Sequence, residues 1–219
     1  MDDIGEVTES KTFHQLGILV LDGSGSMAAI GDGNISLADS VNRAVREFLG
    51  YFKNSSIANN FSFAVVTFDN NSKIHTTTTE LKKVDDFADY NPMNGHGGGT
   101  YIGGALEEAE KLAIDFLNMP EASSIPHDVR VIVMSDGLCQ APDQTKIVAD
   151  RLKLNDKIMI CSSLFMQAAK AGEAEIGQAK TVLAEIASAP NLYKTTYKET
   201  DLRQFFISSM SAKKKFTNE

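Results

Sequence analysis

The run LGILVL at residues 16–21 is apolar without a break and stops at Asp22-Gly23. A strand with one face in water would alternate polar and apolar residues, so this run predicts a strand covered on both faces, as in a parallel sheet flanked by helices. The rest of the chain keeps to that plan. Leu37, Val41, Val45, Phe48, Leu49 and Phe52 recur at helical spacing after Ser36, which predicts a helix of about four turns. FSFAVVTF at 61–68 is a second strand, closed by the turn Asp69-Asn70-Asn71, and the threonine-rich stretch 73–80 reads as an edge strand returning through a hairpin. Residues 82–90 predict a short helix. The glycine cluster at 95–100 interrupts regular structure, after which Ile102, Leu106, Ala109, Leu112, Ala113, Phe116 and Leu117 predict a helix ending near Pro120.

Further strands are expected at 129–134, 157–165 and 191–196, and further helices at 143–154, through Val182, Leu183 and Ile186, and through Leu202, Phe205, Phe206 and Met210. The Ala- and Gly-rich segment 165–177 reads as an inserted surface element. Strand and helix alternate almost throughout, so the expected class is α/β: a doubly wound, mostly parallel six-stranded sheet with one antiparallel edge strand and helices on both faces. One domain is expected over residues 14–211, with an N-terminal extension at 1–13 and a polar tail at 212–219.

The formal net charge of −8 repels polyanions, which argues against nucleic acid and anionic membranes as partners. No apolar run approaches the ~18 residues needed to span a bilayer. The acidic, polar first residues do not resemble a secretory signal. Cys139 and Cys161 lack the spacing of a zinc site or a disulfide scaffold, and the expected compartment is a reducing cytoplasm.

Ligands of doubly wound sheets bind at the carboxyl ends of the strands, so the polar residues placed there carry the chemistry. Three segments qualify: residues 22–27 after the first strand, the Gly97-Gly98-Gly99-Thr100 stretch, and Ser135-Asp136-Gly137. Asp22, Ser24, Ser26, Thr100 and Asp136 offer only hard oxygen donors, which suit Mg²⁺, with Mn²⁺ or Ca²⁺ as substitutes. Octahedral coordination leaves at least one position open to water or an outside group. Two carboxylates balance a divalent ion, so a partner's Asp or Glu is the natural occupant.

Taken alone, Asp22-Gly-Ser-Gly-Ser would be a tight turn with a capping serine; its company of Thr100 and Asp136, in that order, favours the metal. An aspartyl phosphotransferase would need an acid where Ser24 stands. A hydrolase elbow would need glycines on both sides of its serine, and no phosphate-binding Gly-Lys-Ser/Thr occurs. The expectation is therefore a binding module and not an enzyme.

These motifs resemble the von Willebrand factor A family with a complete metal-ion-dependent adhesion site: Asp22, Ser24 and Ser26 match its D-x-S-x-S, Thr100 its distal threonine and Asp136 its distal aspartate. The resemblance implies a Rossmann-like sheet, with both serines and the threonine as direct metal ligands and the aspartates acting largely through water. It also implies metal-dependent binding of a protein partner. A narrower similarity is to bacterial cytoplasmic proteins of tellurium resistance and stress response, which implies a kinase and phosphatase system as company; an adaptor of an AAA+ ATPase is the alternative. Gly23, Gly25, Met27, Gly99, Tyr101 and His96 surround the donors and are the expected partner-contacting residues, Met27 from beneath its loop and His96 from an exposed position. His14, His75 and His127 read as surface or strand-end residues. Three glycines before Thr100 predict a loop free to move relative to the metal.

Overall fold

The computed structural model describes residues 11–168 and 174–213. Its six strands are β1 (His14–Asp22), β2 (Phe61–Phe68), β3 (Ser72–Glu80), β4 (His127–Ser135), β5 (Ile158–Phe165) and β6 (Tyr193–Thr196). They lie in the order β3-β2-β1-β4-β5-β6. All neighbours run parallel except β2 and β3, as expected for a hairpin that ends in a polar edge strand. The chain winds outward from β1 in one direction, then returns to β4 and winds outward in the other. The reversal therefore falls between β1 and β4, whose carboxyl ends carry Asp22 and Asp136.

Among the described residues five helices cover the sheet: α1 (Leu37–Lys53), α2 (Ile102–Leu117), α3 (Pro142–Lys153), α4 (Ala174–Ile186) and α5 (Glu199–Met210). The unbroken apolar run of β1 is explained by its two faces. Leu19 and Leu21 join the layer made with α1 and α5, whereas Leu16, Ile18 and Val20 join the layer made with α2, α3 and α4. α1 starts where the Ser36 hydroxyl accepts the Asp39 N–H at 3.0 Å, a side-chain cap.

The helix expected at 82–90 is absent; only a single 3-10 turn at Leu81–Lys83 forms. Carboxylates there take the backbone bonds that a helix would use. Asp85 accepts from Phe87 N and Asp89 from Asn91 N, while Lys53 Nζ reaches across to Val84 O at 2.7 Å and Asp86 Oδ1 at 2.6 Å. The segment 165–177 also differs in part from a surface element: Met166 and Ile176 are buried in the layer with α4, while residues 169–173 lie outside the described residues. The same holds for residues 1–10 of the extension and 214–219 of the tail.

His14 and His127 stand at strand ends, as expected, but not at the surface. The two are register partners, both buried, with ring centroids 5.0 Å apart and Phe116 against each.

Candidate metal centre

Asp22 ends β1 with no exposed surface. Its Oδ1 accepts the Ser24 N–H at 2.7 Å and its Oδ2 accepts the Ser135 hydroxyl at 2.5 Å. The chain then crosses the sheet edge through Gly23, whose N–H donates to Phe68 O. A Cβ at Gly23 would stand 2.1 Å from Pro92 O, so only glycine allows this approach. Beyond the turn, the Ser24 and Ser26 hydroxyl oxygens lie 3.0 Å apart, and Ser26 Oγ donates to Asp136 Oδ1 at 2.7 Å. Two motifs distant in sequence thus meet in one hydrogen-bonded chain.

The third segment joins through its backbone. Gly25 N donates to Gly98 O at 2.9 Å, and Gln140 N donates to Thr100 O at 2.9 Å. Ser26, Thr100, Asp136 and Gly137 line a cavity of about 220 Å³ together with the apolar Leu37, Leu138, Met166 and Ile176.

Electrostatics set this corner apart. Burial, and then the nearby Asp136 charge, push the Asp22 carboxyl up from 3.8 to about 7, against the hydrogen bonds from Ser135 and Ser24. Two acids held this close favour a proton or a cation between them. Among the described residues no three of His, Cys, Asp and Glu are grouped to hold a metal, so a cation here would depend on the hydroxyls. The oxygen-only donor set and its excess negative charge fit a hard divalent ion.

Three of the residues expected to meet a partner are buried, Met27 beneath its loop as expected. Gly23 is enclosed. Met27 has no exposed surface and packs into the α1 layer. The His96 side chain is only 4% exposed, because both ring nitrogens are held inside: Nδ1 lies 3.1 Å from Asp69 Oδ1 and Nε2 3.0 Å from Thr67 Oγ1. Gly25 is exposed, and Gly99 and Tyr101 are half-buried. The Tyr101 ring lies over the start of α2, where a Cβ at Gly103 or Gly104 would meet it at 3.0 or 2.9 Å.

The sequence reading overlooked Ser135 as a partner of Asp22, and Asp69 and Asn70 as anything beyond a turn. The rule that polar residues after strands matter applies to β2 as much as to β1 and β4. It was the available signal. The glycine loop is not free: Asp69 Oδ2 accepts from Gly97 N at 3.2 Å and Gly98 N at 3.0 Å, and Asn70 Oδ1 from Gly99 N at 3.0 Å. Burial alone would raise the Asp69 pKa, yet the N–H groups of Asn71, His96 and Gly98 hold it down at about 2.

Comparison with known proteins bears on the fold and the family. The chain matches none of the curated proteins. Among solved structures it is similar to the pilus adhesin SpaC of Lactobacillus rhamnosus GG, with a TM-score of 0.71 and 12% identity over 93% of this chain and 31% of that one. It therefore spans about a third of SpaC. The vWF domain of the type V pili tip protein Mfa5 of Porphyromonas gingivalis gives a TM-score of 0.66 and 14% identity, over 96% of this chain and 100% of that one. Proximal thread matrix protein 1 from the mussel byssus, in a structure with a zinc-occupied MIDAS motif, gives 0.59 and 18%, over 91% of this chain and 46% of that one. Identities this low show the shared fold. A family model for the von Willebrand factor type A domain matches residues 18–138, more than half of the sequence and every one of the three loops, so the chain belongs to that family.

Proposed function

We propose that this chain is a protein-binding module that holds a divalent cation at the carboxyl ends of β1 and β4 and, through it, a carboxylate of a protein partner. The observation that carries the reading is the bond from Ser26 Oγ to Asp136 Oδ1 at 2.7 Å, with Asp22 driven toward its neutral form beside it. In this reading Asp22 and Asp136 supply two negative charges, and Ser24, Ser26 and Thr100 supply neutral oxygens. A bound Mg²⁺ would supply the pull on an anionic oxygen that two balanced carboxylates leave unfilled. The mussel protein carries zinc in its MIDAS motif, which supports a divalent ion; the all-oxygen donor set favours Mg²⁺ here.

A binding role is also supported by the histidine nearest in sequence to the donors. His96 is engaged by Asp69 and Thr67, which leaves the site hydroxyls without it as the general base of nucleophilic catalysis. The narrower similarity of a single-domain chain of this length to bacterial stress-associated members of the family extends the proposal to a stress-response or signalling complex.

Titration calorimetry with Mg²⁺ and Mn²⁺ tests the reading. One ion should bind per chain, and a partner captured in Mg²⁺ should be released by EDTA. A protein that binds neither ion overturns the proposal.

A further inference from the structure

The turn between β2 and β3 spends its polar groups on the neighbouring loop. Asp69 accepts from Gly97 N and Gly98 N through its carboxylate, and from Tyr101 N through its carbonyl at 2.9 Å; Asn70 accepts from Gly99 N. The His96 ring is tied at one nitrogen to Asp69 and at the other to Thr67 of β2. The carboxylate is itself braced by Asn71 N at 2.9 Å on Oδ1. A Cβ at Gly98 would stand 2.5 Å from Asn70 Nδ2, and one at Gly99 would stand 2.1 Å from Gln140 Nε2 and 2.7 Å from Asn70 Oδ1. Gly98 therefore lets the turn come close, and Gly99 lets in both the turn and the Gln140 side chain. They do not make the loop loose.

We propose that Asp69, with Asn70 and His96, is the positioning residue for the Thr100 hydroxyl: it holds the loop that carries this donor at the distance and angle set by β2. The inference rests on the metal reading above. Charge-assisted bonds from backbone N–H groups to a carboxylate are among the stronger ones, and a second layer of contacts that orients ligands commonly governs metal affinity. Thr100 is thus fixed to β2 through Asp69, to the Asp22 loop through Gly25 and Gly98, and to the Asp136 loop through Gln140.

The test is a double-mutant cycle read by Mn²⁺ affinity, together with amide hydrogen exchange in EDTA. Asp69→Ala should weaken Mn²⁺ binding roughly ten-fold, and Thr100→Ala should weaken it by a similar factor. The double variant should be no worse than either single one, because Asp69 acts through Thr100. Exchange should quicken at Gly97 and Gly98, the two amides that lose the carboxylate, in Asp69→Ala and stay unchanged in the strands. Losses that add in the double variant, or unaltered exchange at those amides, would overturn the proposal. If Asp69→Ala does not fold, Asn70→Ala, which removes one bond to the loop, takes its place in the cycle with the exchange effect centred on Gly99. A wild-type protein that binds no Mn²⁺ defeats the metal reading instead, and the exchange data alone then decide whether the turn fastens the loop.

Discussion

Both ends of the central strands bury a titratable group, and burial pushes each toward its neutral form. At the amino end, burial, with Lys11 and His127 adding to it, pushes His14 down from 6.5 to about 4. At the carboxyl end Asp22 rises to about 7. The surroundings differ in kind. His14 meets two rings and the Ser62 hydroxyl at 2.9 Å, while Asp22 faces a second acid in a corner where Ser26, Thr100 and Asp136 line a cavity of about 220 Å³. A like charge acts at both ends; the buried group becomes a candidate binding site where hydroxyl donors and open space come with it, and remains a packing feature where aromatic rings close over it.

The largest effect should come from Asp22→Asn, which removes one charge and keeps an oxygen for Ser24 N. Mg²⁺ binding should disappear in calorimetry, while thermal unfolding in EDTA above about pH 7 shows equal or greater stability than wild type. His14→Phe should leave Mg²⁺ binding intact. If the two substitutions affected Mg²⁺ equally, the contrast between the ends would collapse.

A smaller effect concerns pH. The Asp22 pKa is raised on folding, so its contribution to stability is fully present below 3.8 and is lost as pH rises through about 7. A divalent ion bound there would displace that proton. The stabilisation that Mg²⁺ confers should therefore grow as pH climbs toward and past about 7, and unfolding curves with and without EDTA across that range check it.

The smallest effect belongs to the other end. The His14 pKa is lowered on folding, so its contribution is present above 6.5 and is lost as pH falls through about 4. Mg²⁺ should not restore this loss. His14→Phe should flatten the acid-side decline by a few degrees of melting temperature, and a variant as acid-sensitive as wild type would assign the decline to other groups.

What the sequence made legible was whatever is local. The run at 16–21 declares a strand covered on both faces, and Asp22, Ser24, Ser26, Thr100 and Asp136 stand after strands or open a helix, where a doubly wound sheet collects ligands. What stayed hidden depends on contacts between distant residues. The pairing of His14 with His127 follows from strand register, which no periodicity records. Helical spacing at 82–90 lost to carboxylates that bond their own backbone and to Lys53 arriving from α1. The glycines at 97–99 suggested freedom because their constraint lies in another part of the chain, at Asp69 and Asn70.

The order in which the molecule emerges during synthesis follows from its two apolar layers. The oxygen donors are all present once residue 136 has been made, but one face of the sheet beneath them waits for Phe205, Phe206 and Met210 of α5. Gly17 of β1 shows how intimate that last contact is, since a Cβ there would stand 2.9 Å from the Met210 sulfur. A nascent chain therefore carries every donor, and α1 on that face, before α5 can finish covering the β1 surface beneath them.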